Sequence, residues 1–168
     1  MLDRSVRLIE NWRENCRIKT IIAPLASDMC TPETYIASKE VAEKYDKRVT
    51  THMAQSNREM KQVQKLYGKT PTQHLRDLGI VNEKLSSAHC IYVNDEDTEI
   101  ITKTGMDILH CPRPYLLNGV TAPLSSWLNR GIRVGLGTDN VHHDMFQTMR
   151  AALYASRFRS TTLEESSS

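Results

Sequence analysis

The chain has 168 residues, 39% hydrophobic and 25% charged, which is enough to bury one substantial core and places it among ordinary globular domains. Its 22 basic and 20 acidic side chains leave a net charge of +2, which supplies no electrostatic case for nucleic acid or an anionic membrane surface as partner and favours a small molecule. No apolar run approaches the roughly 20 residues of a membrane span, and four cysteines without CxxC spacing suit a reducing, cytoplasmic setting.

The N-terminal stretch, residues 3–15, is charged and amphipathic and reads as a helix rather than a signal peptide. Apolar runs rich in β-branched residues follow at 18–24 (IKTIIAP), 49–54 (VTTHMA), 87–93 (SAHCIYV), 107–112 (DILHCP) and 132–137 (IRVGLG), giving five expected strands. Helix starts are marked between them by Thr31-Pro32-Glu33, by Thr70-Pro71 and by Asn94 ahead of three acids. Each joins a capping side chain to a proline or to carboxylates that suit the helix dipole. Gly79, Gly105 and Gly131 stand where helices should stop, a last helix is expected over 143–158, and residues 161–168 read as a frayed polar tail. No linker divides the chain, so residues 1–168 are expected to form a single domain.

Strict alternation of strand and helix means a parallel sheet with helical crossovers, either doubly wound or part of a (β/α) barrel. No glycine-rich phosphate-binding turn follows the first strand. Instead His52, His89 and Asp139 sit at the C-terminal ends of three strands, where barrel enzymes carry their chemistry. Two imidazoles and a carboxylate suit a divalent metal that activates water, and a carboxylate beside such a water can also take its proton. Each residue has a plainer reading as well: a strand-end histidine held by a loop hydrogen bond, or Asp139 as the cap of the next helix. Eight βα units need about 250 residues, and this chain has room for about five.

The segments PLASDMCTPETYIASKEVAEKYDKRVTTHMAQS, TPTQHLRDLGI, SSAHCIYVNDEDTEII, DILHCP and APLSSWLNRGIRVGLGTDN together resemble the amidohydrolase superfamily, in its cytosine deaminase-like and triazine hydrolase-like branch. The resemblance covers about residues 18–157 and implies an α/β fold, a partial (β/α)8 TIM-type barrel whose five strands are family strands four to eight. It implies metal-dependent hydrolysis, by metal-activated water, of a C–N or related bond in a small nitrogenous heterocycle, with zinc or iron as the metal. It assigns His52 and Asp139 as metal ligands, Asp139 also as general base, and His89 as the group facing substrate or attacking water. Two departures stand out. The His-x-His pair that the family carries on its first strand has no counterpart, because His142 and His143 are adjacent and follow the last strand. Gln55 occupies the position where many relatives have a proton-shuttling glutamate, and an amide cannot titrate there. His89 is the first substitute acid, whereas Glu59, a turn into the next helix, is expected to face solvent. Cys90 should turn into the helical layer, His74 should lie at the surface, His110 should make a structural hydrogen bond, and Trp127 should pack on the barrel wall. An enzyme of this family, a truncated or split barrel that is silent alone and pairs with a second copy or a complementing chain through open sheet edges, and a non-catalytic α/β binding module are the three readings carried forward.

Overall fold

The computed structural model describes residues 2–140 and 143–159. In chain order the elements are α1 (Leu2–Trp12), α2 (Pro32–Lys44), β1 (Val49–Met53), α3 (Asn57–Tyr67), α4 (Pro71–Asp77), β2 (Leu85–His89), α5 (Asp95–Thr104), β3 (Asp107–His110), α6 (Pro112–Leu116), α7 (Leu124–Asn129), β4 (Val134–Leu136) and α8 (Met145–Arg159). The helix starts follow from local chemistry. Thr31, Thr70 and Asn94 each accept the backbone N–H of the third residue of their helix, and Thr70 and Asn94 complete reciprocal capping boxes with Gln73 and Asp97. At the other end of α5, Gly105 takes a left-handed φ of 68° and returns its N–H to the Ile101 carbonyl.

The four strands are parallel and lie in the order β1-β2-β3-β4, with no reversal. That order selects between the two expected architectures. Right-handed crossovers that always step the same way put every helix on one face, which is the wall of a barrel, whereas a doubly wound sheet must reverse at a switch point. The outer face bears Val49 and Met53 of β1, Leu85 of β2 and Ile108 of β3. These are buried against Tyr35, Leu75, Ile101 and Trp127 from the helices in one continuous core. Each such side chain contributes roughly 1.5–3 kcal/mol by leaving water, before the entropy of ordering is subtracted.

The expected first strand, residues 18–24, is not a regular strand. It runs beside β1 through two isolated parallel bridges, Ile22 to Val49 and Ala26 to His52. Four steps on one side against three on the other make a bulge, and Pro24 within it has no N–H to offer a ladder. The segment keeps the place of a strand without its regularity.

At the N-terminal ends of the strands the inner wall is closed by charge. Asp107 accepts hydrogen bonds from Arg48 and, at 2.6 Å, from Arg133, and Arg48 also donates to Ser86 at 2.9 Å. This joins β2 and β3 to the residues that lead into β1 and β4, opposite the end where the site lies. Among the described residues no helix is long and apolar enough to cross a membrane.

Candidate active site

Strand alternation puts His52 on the inner wall, one residue from the outward Met53. Its Nδ1 lies 2.7 Å from the Leu25 carbonyl, which can only accept, so Nδ1 donates there and in the neutral ring Nε2 is the atom left with a lone pair. The irregular segment before α2 therefore sets the tautomer that a metal ligand needs.

The same alternation would send His89 to the helical layer, because it is in register with Met53. The backbone prevents this. His89 and Cys90 adopt left-handed φ values of 76° and 52°, a sparsely populated conformation for residues with a side chain. The turn brings the His89 ring against His52, with centroids 5.2 Å apart, and against the Tyr115 edge at 5.1 Å. Cys90 is fully buried in the apolar core with its thiol near the Ser87 carbonyl, the place the sequence expected for it, reached through the same left-handed turn and not by regular alternation.

Asp139 follows β4, also with a left-handed φ, of 56°. Its Oδ1 accepts the Asn140 N–H at 2.6 Å, and Oδ2 lies 4.0 Å from His89 Nε2. It does not cap the last helix, because Asp144 accepts the Gln147 N–H at the start of α8. Burial, reinforced by His52 and only partly offset by Asp139, pushes His89 down to about 4. The contact with Asp139 near neutral pH is thus a neutral imidazole beside a carboxylate, not an ion pair. A ring of that pKa offers a lone pair or an N–H, and is poorly suited to supply a proton as an acid.

Gln55 is half-buried between β1 and the Ser56 cap of α3, and its side-chain amide makes no hydrogen bond among the described residues. Its backbone is fixed by Glu59. Contrary to the sequence expectation, Glu59 is fully buried. Its Oε1 accepts from the Ser27 hydroxyl and from Ala54 N–H at 3.1 Å, and its Oε2 from Gln55 N–H at 2.8 Å. With both oxygens engaged by the turn that follows His52, Glu59 acts as a clamp on that turn and not as a proton shuttle. A glutamate at the third helical position reaching back to preceding amides is a pattern the sequence offered but periodicity alone could not rank.

Two more expectations change. His74 is buried and stacks on Tyr67 at 3.9 Å, because α4 is enclosed between α3 and α5. His110 is buried edge-on to Trp127, yet its Nδ1 has no partner, so the structural hydrogen bond expected of it is absent from Nδ1. Trp127 is fully buried on the wall as expected. His143 is exposed, and His142 lies outside the described residues. The sequence reading did not single out Cys111 or Tyr115. Cys111, just after β3, shares the inner face with Asp107 and Leu109, and burial together with Asp139 pushes its thiol up to about 11. The His52 ring meets His89, and His89 Nε2 faces Asp139 at 4.0 Å, so imidazole nitrogen and carboxylate oxygen, donor types suited to a divalent metal, stand along one line at the mouth.

The profile of the Amidohydrolase family matches residues 2–166, and the chain belongs to that family. It is similar to 5-methylthioadenosine/S-adenosylhomocysteine deaminase of Desulfitobacterium hafniense, with 35% identity over 157 residues, covering 89% of this chain and 36% of that protein. It is also similar to 5'-deoxyadenosine deaminase of Methanothrix thermoacetophila, with 30% identity over 149 residues, covering 86% and 36%. Among solved structures, E. coli guanine deaminase superposes with a TM-score of 0.88 at 25% identity, covering 96% of this chain and 39% of that one. Triazine hydrolase from Arthobacter aurescens superposes with a TM-score of 0.76 at 27% identity, covering 81% and 30%. The partial-barrel reading agrees with these superpositions. The chain spans little more than a third of the length of the curated relatives it matches.

Proposed function

We propose that the chain acts as a metal-dependent hydrolase that cleaves a C–N bond of a small nitrogenous heterocycle, with an aminopurine-type ring as the substrate class. The observation that carries this reading is the line of contacts at three strand ends, from the His52 ring to His89 at 5.2 Å and from His89 Nε2 to Asp139 at 4.0 Å, with His89 and Asp139 brought there by left-handed backbone. The deaminase names of the relatives support the bond type and the ring class.

His52 would hold a zinc or iron ion through Nε2, and Asp139 through a carboxylate oxygen. The ion, when bound, supplies the Lewis acidity that brings a water into the titration range of neutral pH. Asp139 accepts the proton of the attacking water and returns it to the leaving nitrogen as the C–N bond breaks. His89, neutral and with its ring against the Tyr115 edge, would hydrogen-bond the attacking water or the ring nitrogen beside the attacked carbon. Gln55 orients the ring through its amide and carries no proton. The test is ammonia release from purine and triazine amines by the zinc- or iron-loaded chain. Asp139→Asn is expected to lower turnover by about 100-fold or more, the usual scale for a lost general base. Turnover unchanged in both Asp139→Asn and His52→Ala would sink the proposal.

A second reading has its own support: a barrel segment that works only when paired with a second copy or a complementing chain. Among the described residues β4 pairs on one side alone, and α8 exposes Phe146 and Phe158 at 74% and 84%. Self-association by sedimentation at micromolar concentration is the expected result. A monomer with a cooperative melt would refute it.

A further inference from the structure

Three adjacent strand ends bring together a set of ligand atoms different from the pair that the family resemblance implies. One ligand-type atom each from His89, Cys111 and Asp139 lie within 4.8 Å of one another, and among the described residues this is the group of metal-binding side chains that converges. His52 is not in it. The convergence has local causes. Cys111 is turned inward by alternation along β3 and is 7% exposed, and its Sγ makes only a weak 3.8 Å contact with the Leu109 carbonyl. Across from it stands Gly137, where a Cβ would come within 2.9 Å of that sulfur, so the absence of a side chain there is what gives the thiol its place. His89 and Asp139 reach the same point through their left-handed backbone, and His89 Nδ1 is buried without a partner.

We propose that His89, Cys111 and Asp139 form a thiolate-containing site for a thiophilic divalent ion such as zinc, cobalt or cadmium, held without His52. Zn–S and Zn–N bonds of about 2.3 and 2.0 Å at tetrahedral angles put neighbouring ligand atoms about 3.5 Å apart. Rotations that draw the three side chains in by about 1 Å close the site. On binding, the S–H bond breaks, the sulfur's electron pair goes to the metal and the proton leaves to solvent, with no redox change. Two anionic ligands then neutralise the ion, a condition that favours retention over activation of water. The site shares His89 and Asp139 with the hydrolytic reading but does not depend on turnover.

The test is titration of cobalt(II) alone into the whole chain under a non-thiol reductant, followed by the thiolate-to-cobalt charge-transfer band in the near ultraviolet. A stoichiometric band is expected. Cys111→Ser should abolish it and weaken binding by about tenfold or more, while His52→Ala and Cys90→Ser should retain it. Gly137→Ala examines the same point with the thiol kept, and should also lose the band by crowding the sulfur. No band in the unsubstituted chain, a band that persists in Cys111→Ser, or one lost in His52→Ala would overturn the proposal. Ammonia release is a separate readout, so failure of the hydrolase reading and failure of this site are distinguishable.

Discussion

Glu59→Gln isolates the clamp beneath the site. The substitution keeps the shape of the side chain but replaces one acceptor oxygen by an NH2. If the amide carbonyl keeps the partners of Oε1, Ser27 and Ala54, the NH2 faces the Gln55 N–H and two donors meet in a buried place. One buried donor left unsatisfied costs about 1–3 kcal/mol. At the 2–4 °C per kcal/mol usual for a chain of this size, a cost of about 2 kcal/mol lowers Tm by roughly 4–8 °C. Thermal and urea unfolding measure this, and faster hydrogen exchange at the Ala54 and Gln55 amides should accompany it. The pH dependence adds a second signature. Burial pushes the Glu59 carboxyl above its ordinary 4.5, against hydrogen bonds from Ser27, Gln55 and Ala54 and with a smaller push from Asp28. The folded chain then holds that proton more tightly than the unfolded one. This component of stability is greatest below 4.5 and is lost as pH rises from there through the raised folded value. Glu59→Gln should lack that slope. A variant within about 0.5 kcal/mol of the unsubstituted chain, the range of an ordinary surface change, would refute the clamp.

Two further outcomes follow from the packing and the caps. Trp127→Ala empties a fully buried position against His110 and should cost about 3–5 kcal/mol in urea unfolding, with His110 becoming titratable at higher pH by NMR as water reaches it. His110 is otherwise held down to about 4 by burial and, to a lesser degree, by His89. Asn94→Ala removes the side-chain half of the α5 capping box, the acceptor of the Asp97 N–H, while the backbone N–H at 94 still donates to Asp97, and should cost about 1 kcal/mol by thermal unfolding, leaving cobalt binding at the mouth unchanged.

Much of this arrangement could be read from local pattern. The three cap sites fixed the starts of α2, α4 and α5, because a hydroxyl or amide beside a proline or acid has few other uses. Apolar runs rich in β-branched residues located β1 to β4, and the positions of His52 and Asp139 at strand ends were plain. The misreadings share one cause. Glu59 and His74 are polar residues on short helices, and a helix considered alone cannot say which of its polar groups a neighbouring element will cover. Residues 18–24 have the composition of a strand, but their bulge depends on how Ile22 and Ala26 meet β1.

By itself the sequence determined the alternation, the caps and the residue types at the strand ends, since these depend on contacts a few residues apart. The tertiary structure alone decided the unreversed strand order, the left-handed turns that bring His89 and Asp139 to one point, the Leu25 carbonyl that sets the His52 tautomer, and the placing of Cys111 opposite Gly137. Each of these joins residues from separate elements or asks the backbone for a conformation that only surrounding packing can hold, and neither condition is written in local pattern.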